Sequence, residues 1–151
     1  MPLIQHSIHI DAPIEKVYQA LTHSEGIRAW WTMDADLEEI KGGKGVFRFQ
    51  YHEKVETQVK ILNLEFPSLF LWLVEKSFRL EQEGTEIRFD LRMEGKKTQI
   101  EFSQNGFHQM DETFHLMEKG WSYYLVSLKL YIETGKGAPS PFLDFSIMNK
   151  V

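Results

Sequence analysis

The sequence predicts an α+β domain in which a curved antiparallel sheet of six to seven strands wraps around one long C-terminal helix. Three observations point there. Residues 111–134 (DETFHLMEKGWSYYLVSLKLYIET) carry apolar side chains at three- and four-residue steps, the period of an amphipathic helix. From about Asp36 to Phe102 the apolar period is two, the mark of half-buried strands. A helix of that length also needs a broad apolar surface to lie against, and one sheet built from those strands supplies it.

The elements follow in order. Ile4, His6, Ile8 and Ile10 alternate with Gln5, Ser7 and His9 as a first strand. Asp11, Ala12 and Pro13 then read as a helix start, with Asp11 or Ala12 at the cap and Pro13 in the first turn. Val17, Ala20 and Leu21 give the short helix that follows its apolar side, and a second short helix is expected from Ser24 to Trp30. Strand patterns come next: Phe47, Phe49 and Tyr51; Val55, Thr57, Val59 and Ile61; the doubly apolar LFLWLV at 69–74; Ile87, Phe89, Leu91 and Met93; and Thr98, Ile100 and Phe102. Short connections at Lys41–Gly45, Glu81–Thr85 and Glu94–Lys97 favour antiparallel hairpins.

Composition excludes several functions. With 151 residues and neither linker nor repeat, one domain is expected. A net charge of -5 without a Lys/Arg cluster argues against nucleic acid. No Cys is present, so thiol chemistry and disulfides cannot operate. The start MPLIQHSIHID has no basic region followed by a long apolar run, and Phe66 to Val74 is too short to span a bilayer. A cytoplasmic protein without membrane insertion is the expectation. Lys41-Gly42-Gly43-Lys44-Gly45 lacks the phosphate-loop pattern and leads into a strand, so it reads as a hairpin or bulge. Glu112, His115 and Glu118 form a helix flank without the HExxH spacing, and the other histidines have no ligand spacing; neither metal nor cofactor is expected. No GxSxG elbow occurs.

IDAPIEKVYQALTHSEGIRAWW at 10–31, GGKGVFRF at 42–49, and GW followed by LVSLKLYIETG at 120–135 resemble the Hsp90-ATPase-activator-like branch of the START/polyketide-cyclase superfamily. The resemblance covers residues 3–135 and implies the helix-grip fold, in which a bent sheet holds a long C-terminal helix and two short helices follow strand one. It also implies a cavity between helix and sheet. Family members include ligand carriers, cyclase-like enzymes and chaperone co-factors, so no catalytic residue is carried over.

Such a cavity is expected to take an apolar or aromatic small molecule, because an aromatic wall buries much area at little conformational cost. Met117, Trp121, Tyr124 and Leu125 on the long helix would face Phe49, Phe89, Leu91 and Phe102 on the sheet, with Tyr51 beside them. Of the adjacent indoles Trp30 and Trp31, which cannot share a helix face, Trp30 is assigned to the cavity. His6 shares the face of Ile4 and Ile8 and is the candidate polar anchor. A close neighbour of Gly120 would explain a glycine amid strong helix formers. Two alternatives stand beside the container: a cyclase-like or hydrolytic enzyme using His6, Tyr51 or Tyr124, and a protein-interaction module contacting a chaperone. The domain is read as residues 1–135. Residues 136–151 (KGAPSPFLDFSIMNKV) form an extension whose large apolar side chains suit docking on the domain, over its outer sheet face, or a homodimer contact.

Overall fold

The computed structural model describes residues 2–50 and 52–149. The period-two segments become strands β1 Leu3–Ile10, β3 Lys44–Gln50, β4 Lys54–Glu65, β5 Leu69–Ser77, β6 Glu86–Glu94 and β7 Lys97–Asn105, and the short Asp34–Leu37 adds β2. They form a seven-stranded sheet in the order β1-β7-β6-β5-β4-β3-β2, every pair antiparallel. Strands β1 and β2 follow one another in sequence yet occupy opposite edges. The chain crosses between them through helices α1 Ile14–Thr22 and α2 Ser24–Trp30. Register shifts in β4 at Gln58/Val59 and Ile61/Asn63 add local twist, which bends the sheet around its cargo helix.

That helix, α3 Glu112–Thr134, begins where Asp111 accepts a hydrogen bond from Phe114 N (2.9 Å) and ends at Gly135, whose φ of 90° needs a residue without a Cβ. Along its length it is tied to the sheet. Trp121 Nε1 donates to Gln104 Oε1 on β7 (3.0 Å), Lys129 Nζ donates to the His9 carbonyl (2.6 Å), and Glu133 Oε2 accepts from Asp11 N (2.7 Å). Beneath it the inner sheet face is strongly aromatic: Phe47, Phe70, Trp72, Phe89 and Phe102 are buried and in ring contact with one another or with α3.

The start of α1 differs from the expectation. Pro13 is itself the N-cap, extended at φ -63° and ψ 148°, and its carbonyl accepts from Val17 N (3.2 Å). A proline fits there because the cap's own N–H takes no part in the helix.

After α3 the chain does not run over the outer sheet face. It turns back across α3 and the α2–β2 connection. Ser140 N donates to the Trp31 carbonyl (2.9 Å) and Met33 N to the Ser140 carbonyl (3.0 Å), and a 3₁₀ turn at Phe145–Asn149 buries Ile147.

Two helical glycines give opposite expectations. A Cβ at Gly26 would lie 2.6 Å from the Ala20 carbonyl oxygen and 2.7 Å from Ala20 Cα, where α1 and α2 touch, whereas one at Gly120 would meet nothing within 4 Å among the described residues. Gly26→Ala should therefore destabilise the fold by about 1–3 kcal/mol through overpacking. Gly120→Ala should stabilise it by about 1 kcal/mol. Urea unfolding of both variants checks the signs.

Candidate functional site

The sheet and the N-terminal half of α3 do not close on each other completely. Between them, toward the β3–β4 hairpin, lies a cavity of about 900 Å³. Its deep walls are Trp31, Phe49, Ile87, Trp121 and Tyr124, all buried, with Met117 above them. Its mouth carries His52, Glu53, Arg79, Leu80, Glu81, Leu116 and Lys119, which are exposed or half-buried and mixed in charge. Leu80 is 70 % exposed, so the rim is partly apolar.

Trp31 occupies the middle of the aromatic wall. Its ring centroid is 4.4 Å from Phe47, 4.9 Å from Trp121 and 5.6 Å from Trp72, the last stacked at 10°. Trp30 plays a different part: it is wholly buried, and its Nε1 donates to the Ala20 carbonyl (2.8 Å), tying α2 to α1. The assignment of Trp30 to the cavity is thus corrected to Trp31. At the C-terminus of a seven-residue helix, one position changes the direction of a side chain by about a quarter turn.

Opposite the aromatic wall runs a line of buried amides and hydroxyls. Gln104 Oε1 accepts from Trp121 Nε1, and Gln104 Nε2 donates to Gln82 Oε1 and Thr85 Oγ1, each at 3.0 Å. Gln82 Nε2 then donates to Ser77 Oγ (3.1 Å), which also accepts from Arg79 N (3.1 Å) and lies 3.4 Å from Thr57 Oγ1. Gln82 and Thr57 line the cavity, each about 95 % buried. Sequence reasoning missed both. Gln82 reads as part of a hairpin turn, but the β5–β6 connection contains a 3₁₀ turn at Leu80–Gln82 that folds its side chain inward.

Of the other expected wall residues, Phe49, Met117, Trp121 and Tyr124 line the cavity. Phe89, Leu91 and Phe102 do not: Phe102 and Phe89 pack against Trp121 at 4.5 and 6.1 Å and help fill the rest of the groove. Leu125 and His6 lie together in a second, smaller groove between α3 and β1, where His6 Nε2 donates to the Glu118 carbonyl (2.9 Å). Tyr51 lies outside the described residues. Among the described residues no side chain crowds Gly120, contrary to the expectation of a close neighbour; it borders the cavity and adds no side chain to it. Among the described residues no three His, Asp or Glu side chains gather as metal ligands, and no helix is long and apolar enough to cross a membrane.

Residues 11–133 match the family model described as activator of Hsp90 ATPase homolog 1-like protein. The chain belongs to this family. The Aha1 dimer from Colwellia psychrerythraea is a similar solved structure, with 30% identity, a TM-score of 0.79, and coverage of 91% of this chain and all of that one. An AHSA1-like protein from Aeromonas hydrophila shares the fold at 16% identity and a TM-score of 0.69, covering 87% of this chain and 93% of that one. CalU16 from Micromonospora echinospora does so at 21% and 0.73, covering 98% and 82%. No curated protein matches the sequence.

In this member of the Hsp90-activator-like family, the chain beyond the matched stretch also reaches the site. Leu143 and Phe145 line the cavity at its mouth. They are held there through Tyr123, whose hydroxyl donates to the Ala138 carbonyl (2.6 Å) and accepts from Asp144 N (2.9 Å). Burial pushes the Tyr123 phenol above its ordinary value, with the hydrogen bond from Asp144 N opposing the shift. A raised folded-state value means the contribution is complete below the ordinary tyrosine value near ~10 and is lost as pH rises through the folded one. Tyr123→Phe should cost about 1–2 kcal/mol. Hydrogen exchange should show protection falling at Ser140 and Asp144 while Gln104 on β7 keeps its protection.

Proposed function

We propose that this protein binds an apolar or aromatic small molecule in the cavity between the sheet and the N-terminal half of α3. The observation that carries the reading is the open volume of about 900 Å³ beside Trp121, walled by buried aromatic rings. A space of this size lies in the range used for small-molecule pockets, and apolar walls with a few polar groups are their usual lining. Ring-bearing ligands suit it because planar faces offset-stack on indole and phenyl walls.

A catalytic reading has less to build on. Tyr124 borders the cavity, but His6 belongs to the other groove, so the two cannot act on one substrate atom. A protein contact draws on a different feature, the exposed apolar rim with Leu80 at 70 % and Phe145 at 68 % exposure. The dimeric state of the Colwellia relative supports self-association as one use of such a surface, and the family's description supports a chaperone contact as another.

The test is a ¹H–¹⁵N NMR screen with uncharged aromatic fragments. Signals of Thr57, Trp121 and Tyr124 should move while those of Ser7 and Lys129 in the small groove stay still. Gly120→Phe, which places a ring in the open space, should weaken binding at least tenfold. Shifts confined to the rim, or equal binding by the filled variant, would contradict the container.

A further inference from the structure

The polar line behind the cavity has a direction, and the direction says what kind of ligand fits. An indole N–H can only donate. Trp121 Nε1 therefore requires Gln104 to present its oxygen, which leaves Gln104 Nε2 as the donor to Gln82 Oε1 (3.0 Å). Gln82 must then turn its own Nε2 the other way, toward Ser77 Oγ (3.1 Å). A single obligatory donor thus settles both amide orientations without reference to hydrogen positions.

Ser77 Oγ accepts from Gln82 Nε2 and from Arg79 N, which uses both of its lone pairs. In the 3.4 Å contact with Thr57 Oγ1, Ser77 must therefore be the donor. Two hydrogens remain without an acceptor among the described residues: the second amide hydrogen of Gln82 and the hydroxyl hydrogen of Thr57. Both residues line the cavity and both are about 95 % buried. This line therefore brings two unpaired donors to the cavity wall, whereas the ionisable groups His52, Glu53, Arg79, Glu81 and Lys119 all stand at the mouth. A charged group on a ligand driven to that depth would be left without a counter-ion, at a cost of several kcal/mol.

We propose that Gln82 and Thr57 form a specificity site for an uncharged aromatic ligand whose inner end carries an acceptor oxygen, such as an aryl ketone. The inference rests on the container reading and adds the ligand's polarity to it. A hydrocarbon of equal shape would leave both donors unpaired, so the ketone should bind about tenfold tighter, the ratio that about 1.4 kcal/mol of hydrogen bonding produces.

The probes are 2-acetylnaphthalene and 2-isopropenylnaphthalene, which differ by C=O against C=CH₂, each titrated by ¹H–¹⁵N NMR. In the unmodified protein the ketone should bind about tenfold tighter and move the Gln82 side-chain amide signal. Thr57→Val, which sits at the end of the line and leaves the Trp121–Gln104–Gln82 bonds in place, should lower that preference several-fold. Gln82→Met should remove most of the remainder. Equal affinities in the unmodified protein, or a preference that survives both substitutions, overturns the donor pair while leaving the container intact. If neither probe binds, the container reading falls and this inference falls with it.

Discussion

A buried indole N–H has to find an acceptor, and in this fold that requirement joins the long helix to the sheet. Left unpaired, the Trp121 donor would cost about 1–3 kcal/mol, more than the roughly 1 kcal/mol a made hydrogen bond contributes. Gln104 on β7 meets it at 3.0 Å, and the bond does two things. It fixes the height at which α3 lies in the groove. It also orients two amides in series, so that the inner polar surface of the cavity takes its donor character from one side chain on the opposite element.

The grip has a filled half and an open half, and helix anchoring explains why the open half does not collapse. Next to β6 and β7, Phe89 and Phe102 pack directly on Trp121 and leave no room for a guest. Toward β3 and β4, α3 stands off from the sheet. Its C-terminal half is held by Lys129 on the His9 carbonyl and Glu133 on Asp11 N. Its first turn is held where Thr113 donates to Glu81 Oε1 (2.5 Å) and accepts from Arg79 Nη1 (3.2 Å). With both ends and the middle tied, closing the gap would mean breaking several hydrogen bonds at once. Gly120 and the extension finish the arrangement, the first by withholding a side chain and the second by bringing Leu143 and Phe145 to the mouth.

Much of this fold was legible in the sequence because it is local: strand faces follow a period of two, and the long helix repeats its apolar residues at three- and four-residue steps. The two short helices and six of the seven strands follow the same logic, whereas the four-residue β2 at the sheet edge is too short to carry a pattern of its own. The site was legible only in part. Phe49 and Phe102 carry identical strand signals, yet one borders open space and the other fills it, since a cavity wall and a packed core share one periodicity. Trp30 and Trp31 carry the same sequence signal, because a one-residue difference in direction is decided by where α2 meets α1. Gln82 and Thr57 lie 25 positions apart in unrelated patterns; only the hydrogen bonds through Ser77 bring them together, and no local signal encodes those.

On this reading the space beside Trp121 receives an uncharged aromatic molecule with its acceptor oxygen innermost. A crystal structure of the protein grown with 2-acetylnaphthalene tests it directly. The naphthalene ring should lie between Trp121 and Phe49, with the ketone oxygen within hydrogen-bond distance of Gln82 Nε2. A cavity holding only water, or a ligand bound in the reverse direction with its oxygen at the mouth, would contradict it.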